Sequence, residues 1–238
     1  MATTTHRFDA SAENLLNLFT NSIYSNKDTA IRELISNSSD AIDKIRFESM
    51  TDPDKLSTGS EFRVDIIPDA AENILTITDT GIGMTEAELI KNLGTIAHTG
   101  TRAFLEANQQ GCDINMIGQF GVGFYSVFLI ADRVQVLSKN NDDDWHMWES
   151  AGDGTFSISP CEPYKEMQRG TAIIMYLKPG CEEYVKEKKL RDVIKKHSGF
   201  ISYPTYLEVS KEREYEMTDD EDEGGEKEED AGTKKKKK

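Results

Sequence analysis

The tightest constraint on this chain comes from four side chains of one helix. Glu33, Asn37, Asp40 and Lys44 fall in the run Ile31-Arg-Glu-Leu-Ile-Ser-Asn-Ser-Ser-Asp-Ala-Ile-Asp-Lys-Ile-Arg46, whose apolar spacing predicts a helix ending near Ser49. At about 100° per residue the four occupy an arc of roughly 60°. Ile31, Leu34, Ile35, Ala41, Ile42 and Ile45 fill a separate arc of roughly 120° that must face a core, and Arg32, Asp43 and Arg46 form a third sector that faces solvent. The stripe lies on the border between the dry and wet faces, where a pocket wall belongs. An acid, an amide, a second acid and an amine there suit a metal-bound polyanion. Taken alone, the stripe also reads as ordinary surface charge with an i,i+4 pair between Asp40 and Lys44. The glycine motifs downstream decide between the two.

Charge narrows the ligand. The 238 residues carry a net charge of −15. The last twenty, Asp219–Lys238, hold nine acids and six lysines, so most of the negative charge belongs to the body. A nonspecific nucleic-acid binder is normally basic, which argues against DNA as a direct partner. The same acidity opposes an anionic ligand, but screening over roughly 8 Å weakens distant charges; local donors and a metal ion must supply the attraction. Cys112, Cys161 and Cys181 are scattered, with no CxxC or Cys/His cluster, so neither zinc nor a disulfide scaffold is expected. His6, His98, His146 and His197 are dispersed as well. The N-terminus has no apolar signal core and no run reaches membrane-spanning length, so no membrane partner is expected and the simplest compartment is the reducing cytosol.

Along the chain, Ser11–Tyr24 reads as an amphipathic helix capped by Ser11, and Thr51-Asp-Pro-Asp54 as a turn. Strands are predicted at Phe62–Ile67, Ile74–Thr78, Val134–Ser138, Trp145–Glu149, Thr155–Ser159, Thr171–Leu177 and Tyr206–Ser210. Helices are predicted at Glu86–Leu93, Phe124–Ala131 and Cys181–His197. Gly94–Gly123 is too long for a plain connection and has the length of a functional lid. Helices early and strands late, without regular βα alternation, predict an α+β two-layer sandwich with a mostly antiparallel, mixed sheet and helices on one face. From residue 216 to 238 the charged tail lacks the apolar surface to fold and is expected to be disordered; residues 1–215 then form the domain.

Two glycine motifs carry further chemistry. Asp79-Thr-Gly-Ile-Gly-Met84 follows a strand directly. It sets a carboxylate over a tight turn, where it can accept from the exocyclic amine of adenine, while Gly81 and Gly83 permit positive φ and close approach of a flat base. Gly118-Gln-Phe-Gly-Val-Gly-Phe124 precedes an apolar helix, so backbone N–H groups and the helix N-terminus converge on an anion. Its spacing is neither a P-loop nor a full dinucleotide fingerprint. Singly, these motifs also read as a strand-end turn and a flexible hinge.

In this order, E-x-x-x-N-x-x-D, D-x-G-x-G and G-x-x-G-x-G resemble the GHKL ATPase superfamily, whose nucleotide-binding domain is the Bergerat fold. Tyr24-Ser-Asn-Lys27, Arg32-Glu-Leu-Ile-Ser-Asn37, Asp79–Thr85, Asn92-Leu-Gly-Thr-Ile-Ala97 and Met116–Ser126 resemble the cytosolic ninety-kilodalton heat-shock chaperone family over about Phe8–Lys211. The resemblance implies ATP and ADP as ligands with Mg²⁺. Glu33 would be the general base, Asn37 the magnesium ligand, and Asp79 the adenine acceptor with Thr171 beside it. Met84 would pack on the base and Asn92 would lie near the sugar and phosphates. Gly121, Val122, Gly123 and Phe124 would present backbone to the phosphates. Asp40, Lys44, Gly83 and His98 complete the expected contact set. His98 stands where the family has lysine, Ser22 where threonine is common, and Ala30 where an aromatic is usual. The segment from about 94 to 125 would be the lid. The family also implies co-chaperones and client proteins for the longer protein, a homodimer there but a monomer for this domain, slow hydrolysis without the middle region's arginine, and a pocket that takes ansamycin and resorcinol inhibitors. A DNA-acting relative, a two-component kinase and a nucleotide-sensing docking module are the competing classes; the acidic body and the quoted motifs speak against the first, and no phospho-acceptor histidine region supports the second.

Overall fold

The structure is a computed structural model that describes residues 3–7, 26–94, 123–197, 201–209 and 236–237. Among these the strands are β1 (Thr4–Arg7), β2 (Val64–Asp69), β3 (Ile74–Asp79), β4 (Ala131–Lys139), β5 (His146–Ser150), β6 (Thr155–Pro160), β7 (Gly170–Leu177), β8 (Thr205–Leu207) and β9 (Lys236–Lys237). The helices are α1 (Thr29–Thr51), α2 (Glu86–Gly94) and α3 (Glu187–His197), with short 3-10 segments at Pro53–Leu56, Gly123–Leu129 and Glu182–Val185. The strands form one sheet in the order β1-β6-β5-β4-β7-β3-β2-β8-β9. The pairings are antiparallel except for β2 with β8, which is parallel, so the expected mixed α+β sandwich holds.

Alternation along the strands gives the sheet its two faces. Val64 and Ile66, Leu75 and Ile77, Val134 and Val136, Trp148, Phe156 and Ile158, and Met175 point into one core with α1 and α2. The opposite face carries Arg133 stacked 3.6 Å above the Tyr176 ring. In α1 the buried positions include Ile31, Leu34, Ile35, Ile42 and Ile45, as the arc predicts, with Ala41 half-buried, Thr29 and Ala30 buried in the first turn and the polar Ser38 buried within the arc. Each fully buried isoleucine contributes roughly 1.5–3 kcal/mol. The helix ends where Pro53 forces Asp52 out of the α region, to φ −134° and ψ 90°.

Several elements differ from expectation. The segment before β4 is a 3-10 helix, Gly123–Leu129, rather than an α-helix. Aromatic and β-branched residues are poor helix formers, and the Ser126 hydroxyl bonds back to Gly123 O at 2.6 Å, which competes with the α ladder. A full α-helical dipole behind the glycine motif is therefore absent. The expected helix from Cys181 is divided: a 3-10 turn, Glu182–Val185, precedes α3, with Lys186 extended between them. The last predicted strand is shorter and one residue earlier, β1 carried no sequence signal, and Lys236–Lys237, in the tail expected to be disordered, pairs with β8 as β9 through backbone bonds that need no apolar side chain. The helix Ser11–Tyr24, the body of the lid, and His98, Gly121 and Val122 lie outside the described residues.

Candidate functional site

The three motifs meet in one cavity of about 580 Å³ between α1, α2 and the sheet. All four stripe residues line it, together with Asp79, Gly83, Met84, Asn92, Gly123, Phe124 and Thr171. Asn37, Asp40 and Lys44 are exposed on its wall and Glu33 is half-buried. Glu33, Asp40, Glu48, Asp79 and Glu88 face Lys44 as the one cation of the described lining, so the wall is acidic, as the composition requires. The larger cavity of about 740 Å³ lies beyond the Asp79–Gly83 turn and contains none of the stripe.

Asp79 ends β3 as its last residue, opposite Val64 on one side and Thr171 on the other. It is 4% exposed. The Gly81 N–H donates to Oδ1 at 2.9 Å, and the Ser38 hydroxyl and Thr171 N–H also donate to the carboxylate. Burial nevertheless dominates and pushes the carboxyl up to about 7, with the nearby Arg169 charge drawing it part of the way back. This group sits near neutrality, able to meet a hydrogen-bond donor of a ligand.

Glycine is required around it for two different reasons. Gly83 has φ +69°, and a Cβ there would lie 1.9 Å from Lys139 O. Gly81, contrary to expectation, does not take positive φ. It is small because a Cβ would fall 2.6 Å from Ala41 Cβ and 2.7 Å from Asp79 Oδ1. The turn is also tied to α1 by the Ile82 N–H bond to Ala41 O at 3.0 Å. Met84 is fixed through its N–H, which donates to Ser138 Oγ at 2.8 Å; that hydroxyl lies 2.9 Å from Thr171 Oγ1.

Glu33 is held at the other end of the stripe. Arg32 Nη2 donates to its Oε1 at 2.8 Å, and its Oε2 faces Gly123. Tyr125 Oη donates to Leu93 O at 2.8 Å, and the Phe124 ring packs edge-on against Trp148, which stacks on Phe156. Phe156 in turn lies where a Cβ on Gly94 would fall. Residues 93–94 and 123–125 are thus joined through one aromatic cluster.

Ser38, Ser138 and Arg169 were missed from sequence. Ser38 had a signal, a hydroxyl in the middle of the apolar arc of α1. Ser138 and Arg169 had none, because their partners lie far along the chain.

The description "Histidine kinase-, DNA gyrase B-, and HSP90-like ATPase" belongs to a family whose sequence model matches residues 24–153, so the fold is that of a GHKL-type ATPase domain. A second model, "Hsp90 protein", matches residues 183–238. The chain is 50% identical over 216 residues to an "Endoplasmin homolog" of Hordeum vulgare, covering 90% of this chain and 27% of that protein. It is 48% identical over 208 residues to the human "Putative heat shock protein HSP 90-beta 4", covering 87% and 41%. To the "Chaperone protein HtpG" of Myxococcus xanthus it is 46% identical over 213 residues, covering 87% and 32%. The chain belongs to the histidine kinase-, DNA gyrase B- and HSP90-like ATPase family, in its Hsp90 branch. It spans about a quarter to two-fifths of the length of these relatives.

The expected cytosolic location is corrected by the same comparison. Endoplasmin homologues, the endoplasmic-reticulum paralogues of the cytosolic proteins, recur among the similar relatives, from Hordeum vulgare, Arabidopsis thaliana, Catharanthus roseus, Dictyostelium discoideum and Caenorhabditis elegans. The quoted motifs answer to nucleotide chemistry, which is the same in either compartment, and three scattered cysteines do not distinguish the two.

Proposed function

We propose that this domain binds ATP and ADP with Mg²⁺ in the 580 Å³ cavity and hydrolyses ATP slowly, as the nucleotide-driven part of a longer Hsp90-type chaperone. The observation that carries this reading is the convergence on one cavity of Asp79, the apolar Met84 and Phe124, and the Glu33–Asn37–Asp40–Lys44 stripe that runs along its α1 wall. Asp79 accepts from the adenine amine, and Met84 covers the base. Asn92 and Lys44 face the sugar and phosphates.

The donor set fits magnesium. An amide oxygen on a wall that also carries carboxylates suits an ion that keeps its waters and phosphate oxygens and takes one protein oxygen. Asn37 would supply that oxygen. When bound, the ion neutralises phosphate charge that the acidic wall would otherwise repel. Glu33 orients a water on the phosphate side and receives its proton.

In the longer protein the cycle would drive closure of the 94–125 segment, with His98, Gly121 and Val122 at the phosphates, and N-terminal dimerisation. Clients, co-chaperones and the homodimer belong to that protein, whereas the isolated domain is a monomer. The pocket also takes ansamycin and resorcinol inhibitors. Calorimetric titration with magnesium ADP tests the reading: saturable heat is expected, and none with Asp79→Asn. No heat and no thermal shift with the native domain would overturn it.

A further inference from the structure

The Asp79–Gly83 turn forms a thin wall between the two cavities, and a buried arginine stands behind it. Arg169 is 3% exposed, just ahead of β7. Its Nε donates to Gly81 O at 3.0 Å and its Nη2 to Thr80 O at 3.1 Å and Gly59 O at 3.0 Å. Its Nη1 donates to Lys55 O at 3.1 Å and Thr58 Oγ1 at 2.9 Å. A guanidinium has five N–H donors, and five acceptors meet them. Two of those acceptors are the carbonyls next to Asp79; the other three belong to the 55–59 segment. That segment is itself anchored to the β4–β5 hairpin, where Asn141 Nδ2 donates to Lys55 O and Thr58 Oγ1 donates to Asn141 Oδ1, each at 2.8 Å.

We propose that Arg169 is a positioning residue of the adenine subsite, locking the Thr80 and Gly81 carbonyls from behind so that the Asp79 carboxylate stands ready for the base. This rests on the reading of Asp79 given above. The neighbouring Gly170, at φ +120°, lets β7 approach β3 so closely that a Cβ there would lie 2.0 Å from Asp79 O. Ser38 from α1, the Gly81 N–H from the turn, Thr171 from β7 and Val64 from β2 are neutral; Glu33, Asp40, Lys44, Glu48 and Glu88 share the cavity in front of Asp79, and Arg169, behind the turn, is the charge that draws its carboxyl back down. The guanidinium therefore sets two properties of the acceptor, its place and its ionisation. Its own pKa is lowered by burial and partly restored by Asp79, as expected for two buried charges of opposite sign across one turn.

The test compares native protein, Arg169→Lys, Arg169→Met and Asp79→Asn by calorimetric titration with magnesium ADP from pH 5.5 to 8.5. Carbon-13 NMR of the aspartate carboxyls is followed over the same range. Arg169→Met is expected to weaken ADP binding at least tenfold at pH 7, and to move the Asp79 titration to higher pH. Arg169→Lys keeps the charge but not the fork, so it should restore the titration and only part of the affinity. A merely structural role would lower affinity without moving the carboxyl resonance. Native affinity and an unmoved Asp79 titration in a folded Arg169→Met protein would overturn the proposal. Should that variant fail to fold, an Arg169→Lys protein with native affinity at every pH would overturn it equally. Full affinity in Asp79→Asn would instead sink the adenine reading itself, which separates the two failures.

Discussion

Gly123 is seated against the Glu33 carboxylate: a Cβ on residue 123 would stand 2.5 Å from Oε2 and 3.3 Å from Cδ. The obstacle is the far end of a flexible side chain, so Gly123→Ala should displace the carboxylate and leave the fold in place. Thermal stability should change by no more than about 0.5 kcal/mol, and magnesium ADP should still bind. If Glu33 is the general base proposed above, turnover in the longer protein should fall on the order of tenfold or more, because a misplaced base loses most of its contribution. Steady-state hydrolysis beside a melting curve checks both halves. Undiminished turnover would remove the contact from the mechanism.

Gly83→Ala should behave in the opposite way. Here the obstacle is backbone, with Lys139 O 1.9 Å from the new Cβ, and φ is +69°. Neither can relax without parting the turn from the β4–β5 hairpin. That junction is also held by Asn140 Nδ2 donating to Ile82 O at 3.2 Å and by Asp143 Oδ2 accepting the Glu86 N–H at 2.8 Å. A loss on the order of 2–4 kcal/mol is expected in urea unfolding, with weakened ADP binding in whatever remains folded.

Tyr125→Phe removes the hydroxyl that donates to Leu93 O at 2.8 Å in a buried setting. The cost should be about 1–3 kcal/mol, since a buried carbonyl loses its partner. Because the bond joins the two ends of the 94–123 stretch, amide hydrogen exchange should quicken at residues 90–94 and 123–127 ahead of the β4–β7 core. Uniform exchange throughout would show that the bond does not couple them.

The parts of this site that could be read from sequence are local ones. The stripe of α1, the carboxylate at the end of β3 and the glycines that follow are each fixed by helical period or by a few adjacent residues. The core arc of α1 was right at Ile31, Leu34, Ile35, Ile42 and Ile45 for the same reason. What escaped depends on distant pairing. Arg169 acts on Thr80 and Gly81 across 88–89 positions of chain, and β1 has meaning only beside β6. The Gly123–Leu129 segment was apolar enough for any helix; its burial and the Ser126 bond to Gly123 O chose the tighter one. Local sequence suggests backbone freedom as the reason for Gly81, yet its role comes from Ala41 lying across the turn, a contact between elements.

The buried Asp79 carboxyl makes two pH dependences of opposite sign. Desolvation raises it to about 7 from an ordinary 3.8, despite the donors from Gly81, Ser38 and Thr171 and the Arg169 charge. An amine donor of a base bonds the ionised form better, so on the proposed adenine contact nucleotide uptake would expel the proton. ADP affinity should therefore climb with pH below about 7, by at most about tenfold per unit, and level off above it. Magnesium in excess keeps the phosphates ionised meanwhile. Stability of the unliganded domain runs the other way. Between the unfolded value of 3.8 and about 7 the native state holds a proton that the unfolded chain has released, so this residue's contribution to the unfolding free energy falls as pH rises through that window and is constant above it. Asp79→Asn has no such proton. Its stability relative to the native protein should thus increase from pH 4.5 to pH 7.5, reaching on the order of 1–4 kcal/mol, while its ADP binding is lost. Urea unfolding of both proteins at half-unit steps measures the first effect and calorimetry the second. A stability difference that stays flat across the window would mean that Asp79 titrates as an ordinary exposed carboxylate, and the affinity profile would then have to be flat as well.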